Sequence, residues 1–477
     1  MKIQIPEKVN MIIENLLRHG HEAYAVGGCV RDSLLGREAD DWDITTSASP
    51  YEVKGLFRRT IDTGIQHGTV TVMLDKEGFE VTTYRIDGEY EDGRHPKEVL
   101  FTKNLEEDLK RRDFTINAMA YNEQTGMVDV FGGVEDLKQH IIRCVGAAGE
   151  RFDEDALRIM RAFRFSAQLG FSIEENTRMA AAERAENLKK ISAERVRTEL
   201  TKLLLSKNPD RLVWMQQNGI TRIVLPEFDA MLATKQNNSN HQYNVGEHTL
   251  HVVEFATDRE RQEAYIRKVL PEFPAETVLS QKVWEKKERQ ILRFAALLHD
   301  AGKPEVQVTT GQGEHRFPDH ARAGAAKAKK ILQRLKFDNE TMDYVVRLVA
   351  AHSEYLVLTG EKEKNLAALR RMMYALGPDL MEVLWELQLA DVLAQHPAFL
   401  QRKLEALAET KRLHREIVER GDCVSLKQLA VNGKDLINLG IQPGKQIGEV
   451  LEKLLLEVLE HPEANEREKL LGLAALL

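Results

Sequence analysis

The chain has 477 residues, 30% of them charged, and a formal net charge of −8. That length exceeds one ordinary domain and predicts two to four units, each large enough to bury a core without disulfide staples. The acidic balance excludes a polycation that coats nucleic acid, so an RNA partner would be held by local basic patches: Arg58-Arg59, Lys110-Arg111-Arg112 or Lys189-Lys190. Three cysteines (Cys29, Cys144, Cys423) are odd in number and far apart, which fits neither a disulfide framework nor a metal knuckle and predicts a reduced, cytoplasmic setting. Val9, Ile12, Ile13, Leu16 and Leu17 recur at helical spacing among charges, unlike a secretory segment. No apolar run approaches the roughly 20 residues that span a bilayer.

The first informative stretch is residues 23–50, AYAVGGCVRDSLLGREADDWDITTSASP. A short apolar strand, Tyr24 to Val26, runs into Gly27-Gly28, a helix carrying Arg31 follows, and the chain returns through Asp41-Trp42-Asp43. Alternation along a strand sends Asp41 and Asp43 to one face and Asp40 to the other. Two carboxylates held side by side repel unless a cation lies between them, and hard oxygen ligands select Mg²⁺ or a similar ion. Glycine lets the backbone approach a bound group, N–H groups at a helix N-terminus suit a phosphate, and Arg31 adds a forked donor. Together these are the parts of a nucleotidyl-transfer site. A turn followed by a solvated acidic strand end is the plainer alternative.

GGCVRDSLLG followed by DDWDITTSA resembles the opening signature of the tRNA nucleotidyltransferase (CCA-adding enzyme) and bacterial poly(A) polymerase family. The resemblance implies metal binding by Asp41 and Asp43 and triphosphate or sugar contacts by Gly28 and Arg31. Residues 50 to 60 then read as a helix, and Thr69 to Leu74 and Phe79 to Tyr84 as strands around a turn at Asp75 to Gly78, completing a small mixed sheet. Glu80 could bring a third carboxylate from an adjacent strand. In the resembling family a carboxylate in an EVTTYR-like strand assists the chemistry.

YRIDGEYEDGRHPKEVLF is polar, rich in turn residues and too long for a simple hairpin connection. It resembles the flexible loop of CCA-adding enzymes, with Arg85, Asp87-Gly88, Tyr90, Asp92, Arg94, Pro96 and Val99 in the family spacing, which implies full CCA or A addition. TGIQHGTVTV resembles the CCA-adding type and lacks the basic run that bacterial poly(A) polymerases carry. Residues 105 to 121, LEEDLKRRDFTINAMAY, read as one helix with an acidic first and a basic last turn. RRDFTINAMA matches a family motif, which implies that Arg112 contacts the nucleotide and that Asp113 orients it. Phe131-Gly132-Gly133 turns the chain into a helical half in which no strand is expected.

Phe152 to Leu169 reads as a helix that places Asp155, Arg158 and Arg161 on one face, with Arg164 continuing it. Cytosine and adenine present an exocyclic amine beside a ring-nitrogen acceptor, whereas uracil and guanine present a carbonyl beside a ring N–H. A carboxylate facing the amine and a guanidinium facing the ring nitrogen would accept C and A and reject U and G. In the class II branch of the resembling family the EDxxR motif, here Glu154 to Arg158, does this in place of a template, and the resemblance gives Arg161 and Arg164 contacts to the incoming nucleotide. ISAERVRTEL reads as an amphipathic helix and resembles a further motif of that family, a structural one in which Arg195 would support the site. An Asn-rich break, Thr234 to Asn240, marks a boundary.

Beyond it lie His248, His299-Asp300 in ALLHDAGKPE, His320, His352 and Asp391. Imidazoles and carboxylates on successive helices can converge on one divalent metal, and mixed N/O ligation suits Mn, Fe, Co, Ni or Mg better than a closed zinc site. The order resembles the HD-domain phosphohydrolases, which implies His248, His299, Asp300 and Asp391 as minimal ligands and His320 and His352 as second-metal or phosphate ligands. The remaining helices, broken by Gly and Pro at 440 to 444, resemble the tail with which CCA-adding enzymes grip the tRNA elbow.

The expected architecture is an α+β nucleotidyltransferase head with a small mixed β-sheet (1–145), an all-α neck and body (146–235), an α-helical HD domain (240–400) and a helical tail (401–477). The resemblance implies template-independent addition of CCA from CTP and ATP to the tRNA 3′ end, with Mg²⁺ in the head and a divalent ion in the HD domain. That domain would hydrolyse phosphomonoesters or 2′,3′-cyclic phosphates in tRNA end repair. An A-adding enzyme or poly(A) polymerase stays open, as does an HD module that only binds a nucleotide and regulates the head.

Overall fold

The computed structural model describes residues 2–39, 41–88, 99–237, 242–356 and 358–477. The chain divides into two compact units, Met1–Val224 and Leu225–Leu477. In the first, helix Glu7–Arg18 buries Val9, Ile12, Ile13 and Leu16. The strands are β1 (Ala23–Val26), β2 (Ile44–Thr46), β3 (Thr60–Gly64), β4 (Thr69–Leu74), β5 (Glu77–Thr83), β6 (Arg85–Asp87), β7 (Val99–Phe101), β8 (Ala120–Asn122) and β9 (Gly126–Val128). Seven of them form one sheet in the order β3-β4-β5-β2-β1-β8-β9, while β6 and β7 pair separately. The β2–β5 pair is parallel, and the other pairs of the seven-stranded sheet are antiparallel.

Ser49 caps helix Pro50–Leu56 with a reciprocal box to Glu52 and a proline in its first turn. The helix ends earlier than expected, because Thr60 already pairs with Val72 in β3. The hairpin between β4 and β5 turns on two residues rather than four: Asp75 and Lys76 both take left-handed φ values, 47° and 71°. Such a turn matches the twist of its strands, so pairing runs out to Leu74 opposite Glu77.

Residues 105–121 do not form one helix. Helix Leu105–Lys110 stops, a 3₁₀ turn follows at Thr115–Asn117, and β8 begins at Ala120. Phe114, Ile116, Ala118, Met119, Ala120 and Tyr121 are all buried, an unbroken run that suits a strand covered on both faces, and helical periodicity is lost there. β8 therefore enters the sheet beside β1. Short strands also follow Phe131, contrary to the sequence expectation: Ile141–Ile142 pairs in parallel with Ser172–Ile173. Helices Ala148–Glu154, Leu157–Leu169, Glu175–Glu183, Ala193–Leu204, Arg211–Gln217 and Thr221–Val224 follow in this unit, Leu157–Leu169 packing on Ala193–Leu204.

In the second unit every residue of helix Met381–Leu393 but Glu382 is buried, which fits its mainly apolar sequence. Helices Val245–Phe255, Lys286–Leu298 and Leu400–Arg420 pack against it. Helices Gly433–Asn438 and Lys445–Glu460 are separated by Gly440 and Gly444, both at positive φ. No described helix is long and apolar enough to cross a membrane.

The Phe131-Gly132-Gly133 turn brings a helix onto the 3₁₀ turn at close range. A Cβ at Gly133 would lie 2.3 Å from the Thr115 carbonyl oxygen and 2.9 Å from the Met119 side chain. Gly133→Ala is therefore expected to lower stability by about 1–3 kcal/mol. Thermal unfolding checks this, and an unchanged midpoint would refute the contact.

Candidate functional site

β1 delivers the chain to Gly27, whose φ of 84° an ordinary residue rarely adopts. A Cβ there would stand 3.1 Å from Arg112 Nη1, so the glycine is what lets this guanidinium lie against the turn. Asp41 to Asp43 form an extended lead into β2 and are not themselves part of a regular strand. The sequence expectation of strand-borne aspartates is corrected to that extent, and Asp40 lies outside the described residues. The Asp43 carbonyl accepts from Val26 N–H at 3.0 Å, which pins the segment beside β1. Ile44 is level with Val81 in the parallel β2–β5 pair, so Asp43 comes level with Glu80.

The electrostatics agree with that placement. The Asp43 carboxyl is raised first by the protein packed around it and further by the Asp41 charge, with Arg112 acting in the opposite direction. Glu80 is raised in the same way, by desolvation and then by Asp43 and Asp41. Three carboxylates that penalise one another's charge are a donor set that a divalent cation would relieve.

Behind them lies an arginine array. Arg31, buried, donates to both Asp32 carboxylate oxygens and through Nη1 to Asn117 Oδ1 at 2.7 Å. Asn117 donates in turn to Asp113, whose other carboxylate oxygen accepts from Arg161 at 2.7 Å. Burial alone would raise Asp113, but Arg161, Asn117 and Arg158 outweigh it and hold the group down to about 2. Arg164 pairs with Glu199 at 2.8 Å, and the guanidiniums of Arg31, Arg161 and Arg164 stand 5.0, 5.3 and 3.6 Å from the centroid of the Phe165 ring. Asp113 does not orient Arg112 as the sequence suggested. Asp108, fully buried, takes both Arg111 and Arg112 and also accepts from Thr45 Oγ1 at 3.2 Å. Sequence reading missed Asp108, although its spacing of three and four residues from those arginines is the helical pairing distance.

Asp155 is not on the same helix as Arg158. Helix Ala148–Glu154 ends before it, its backbone is extended (φ −143°, ψ 102°), and helix Leu157–Leu169 begins beyond it. Its side chain caps the new helix, accepting from Leu157 N–H at 3.0 Å. The break has a physical cause: an Asp competes for backbone donors and favours a cap over a helix interior. Arg195 clamps Asp155 at 2.6 Å, while Arg158 is held by Glu154 and by the carbonyls of Arg151 and Arg111. The two residues expected to read a base edge are thus adjacent in sequence space yet satisfied by different neighbours. Of the loop residues in the family spacing, Tyr90, Asp92, Arg94 and Pro96 lie outside the described residues.

In the second unit the structure brings together all six predicted ligands. His248, His299 and Asp300 form one set with candidate ligand atoms within 4.8 Å of one another, and Asp300, His320 and His352 form another. His248 Nε2 is 3.0 Å from Asp391 Oδ1, whose partner oxygen accepts from Tyr355 at 2.7 Å. All four imidazoles place Nδ1 against a backbone carbonyl, those of Ala394, Ala296, Phe317 and Val349. That bond fixes the ring and aims each Nε2 inward, as metal-binding histidines require. His299 Nε2 and Asp300 Oδ2 are buried without a hydrogen-bond partner among the described residues. Lys303 Nζ is 2.7 Å from that oxygen, close enough to neutralise it but out of line to donate, and is itself held by Gln236. Despite burial, His299 and Lys303 keep Asp300 well below the usual carboxylate range. Orphaned buried atoms in a His/Asp donor set fit a divalent ion.

Residues 23–143 match the family model described as the poly A polymerase head domain, and residues 170–232 one described as a probable RNA and SrmB-binding site of polymerase A. Residues 319–474 match a model described as putative tRNA nucleotidyltransferase domain 2. The CCA-adding enzyme of Lactobacillus delbrueckii subsp. bulgaricus is 56% identical over 197 residues, 41% of this chain and 50% of that protein. The CCA-adding enzyme of Anoxybacillus flavithermus is 51% identical over 225 residues, 47% of this chain and 56% of that protein. The chain thus spans about half the length of the curated relatives it matches. The crystal structure of Bacillus stearothermophilus CCA-adding enzyme in complex with CTP is similar over 99% of this chain and 97% of that one, with TM-score 0.66 and 29% identity. The Thermotoga maritima CCA-adding enzyme complexed with tRNA shares the fold over all of both chains, with TM-score 0.57 and 22% identity. The class these likenesses define is a fold: a mixed-sheet head like that of poly A polymerases, followed by a mostly helical remainder. Within that class they support the CCA-adding enzyme family.

Asp113 carries a prediction with a definite sign. A carboxyl depressed in the folded state stabilises above its unfolded pKa, and that contribution is lost as pH falls from near 4 through about 2. Asp113→Asn is therefore expected to cost about 2 kcal/mol near neutral pH. Urea unfolding of both proteins from pH 7 to pH 3 checks it: the gap should narrow below pH 4, and a gap independent of pH would refute the assignment.

Proposed function

We propose that this chain adds C, C and A from CTP and ATP to the 3′ end of tRNA without a template, using the Asp41, Asp43 and Glu80 cluster as the chemical centre. The observation that carries the reading is the juxtaposition of those three carboxylates with Arg112 at the Gly27 turn. Asp41 and Asp43 would hold Mg²⁺, which supplies charge neutralisation at the triphosphate and a lowered pKa at the attacking hydroxyl. Glu80, already biased toward taking a proton, receives it from the tRNA 3′-hydroxyl as that oxygen attacks the α-phosphorus and pyrophosphate leaves. Gly28, Arg31 and Arg112 hold the triphosphate and sugar, with Arg161 and Arg164 behind them. Asp155 accepts from the base amine and Arg158 turns from Glu154 to donate to the ring nitrogen.

In the second unit, His248, His299, Asp300 and Asp391, with His320 and His352, would hold one or two divalent ions for hydrolysis of phosphomonoesters or 2′,3′-cyclic phosphates at tRNA ends. The inward Nε2 atoms and the orphaned Asp300 oxygen support this. Residues 1–145, 146–235, 240–400 and 401–477 are proposed as head, neck and body, HD module and tRNA-binding tail. The chain would work in the cytoplasm.

The deciding measurement is incorporation into a tRNA transcript lacking its CCA end. CTP alone should add two cytidines and CTP with ATP the full CCA; A runs from ATP alone would instead make it a poly(A) polymerase. Chelation of metal, or Asp41→Ala with Asp43→Ala, should cut incorporation about 100-fold or more. His299→Ala with Asp300→Ala should abolish phosphohydrolysis and leave incorporation intact, and undiminished hydrolysis would remove the second centre. Arg195→Ala, which unclamps Asp155, should raise misincorporation of U and G relative to C and A; unchanged selectivity would show that the clamp does not set the base edge.

A further inference from the structure

A cavity of about 230 Å³ in the second unit is lined by Thr257, Arg259, Lys282, Trp284, Arg289 and Glu386, among others, and includes none of the six histidines and aspartates described above. Its floor is Glu386, only 3% exposed, on helix Met381–Leu393. Oε1 of that carboxyl accepts from Thr257 N–H at 3.1 Å and from Gln262 Nε2 at 2.6 Å. Oε2 has no hydrogen-bond partner among the described residues, yet it is not sealed off from the cavity. A buried carboxyl with one oxygen fully engaged and the other facing a cavity calls for a polar partner in whatever enters. Thr257 adds to this: a β-branched residue at φ 66° is strained, and Glu386 together with Arg293 Nε on Thr257 Oγ1 holds it there.

The rim has the opposite character. Arg259 donates only to the Ser280 carbonyl and the Gln281 amide oxygen, and neither it nor Arg289 meets a carboxylate within ion-pair distance among the described residues. Lys282 is paired with Glu288 and stands 4.9 Å from the centroid of the Trp284 ring. Two uncompensated guanidiniums, an aromatic plane and one inward acceptor are complementary to a ligand with an anionic end, a flat middle and an amine at its far edge. We propose that this cavity binds a nucleotide whose base carries an exocyclic amine: the amine donates to Glu386 Oε2, the base lies against Trp284, and the phosphate meets Arg259 and Arg289. A free nucleotide and the terminal nucleotide of an RNA share this chemistry. The inference is independent of the two centres in the preceding subsection, since it uses none of their residues.

Calorimetric titration of the full chain with AMP, CMP, GMP, UMP, inorganic phosphate and a five-residue oligoribonucleotide tests it, in wild type and in Arg289→Ala and Trp284→Ala. Amino-bearing nucleotides should bind at a site that either substitution weakens tenfold or more, with the thermal midpoint and nucleotide incorporation unchanged. UMP and phosphate should bind at least tenfold more weakly than AMP. Stronger binding of the oligonucleotide than of AMP would support an RNA end as occupant, and the reverse a free nucleotide. Glu386→Gln, with folding verified by its melting profile, should erase the preference for amino-bearing bases. Binding that survives both rim substitutions, no binding of any monophosphate, or phosphate binding as tightly as AMP would overturn the proposal.

Discussion

The first unit depends on one buried carboxylate, Asp113. Surrounded by protein, it would be costly if unpaired, and it is stable because Arg161, Asn117 and the Phe114 N–H all donate to it. Through Asn117 the same carboxylate fixes Arg31, and through Arg161 it fixes one edge of the arginine group around Phe165. Cationic side chains held this close would otherwise repel one another and scatter. A buried anion on one side and an aromatic face on the other let three guanidiniums stand together, charged and oriented, before any ligand arrives.

A second buried carboxylate, Asp108, does related work at the sheet. It ties Arg112 to the turn at Gly27 and bonds Thr45 in the strand that follows Asp43. The proposed acidic centre and its neighbouring arginine are therefore held by one hydrogen-bonded unit and do not move independently. The acidic centre itself is arranged at an energetic cost, visible in the raised carboxyls of Asp43 and Glu80. A cation bound there would relieve it.

The second unit solves the same problem with imidazoles. Each histidine of the cluster is oriented by a carbonyl on Nδ1, which turns its Nε2 toward the two aspartates, and Lys303 balances the central one. Helix Met381–Leu393 carries both Asp391 at this cluster and Glu386 at the cavity described above, five residues apart on one largely buried helix. An apolar helix can hold two such carboxyls because each finds hydrogen-bond partners on neighbouring segments.

How much of this was legible beforehand follows from the range of the interactions. Strands β1, β2, β4 and β5, the Gly27 turn, the helix carrying Arg31, the acidic residues Asp41, Asp43 and Glu80, and the six expected ligands of the second unit could be named from local pattern and motif resemblance, since each is written in a few consecutive residues or in an ordered set of them. The breaks in the chain were harder to see. One helix was expected across residues 105–121 where a 3₁₀ turn and a central strand stand, and one across 152–169 where Asp155 interrupts. In both places a distant partner outweighs helix propensity: β1 accepts β8 as a neighbour, and Arg195 takes the Asp155 carboxylate. The sequence by itself determined which chemical groups are present and in what order. Only the tertiary structure decided which carboxylate holds which arginine, because ion pairs between residues tens of positions apart depend on the folded distance, which no local pattern records.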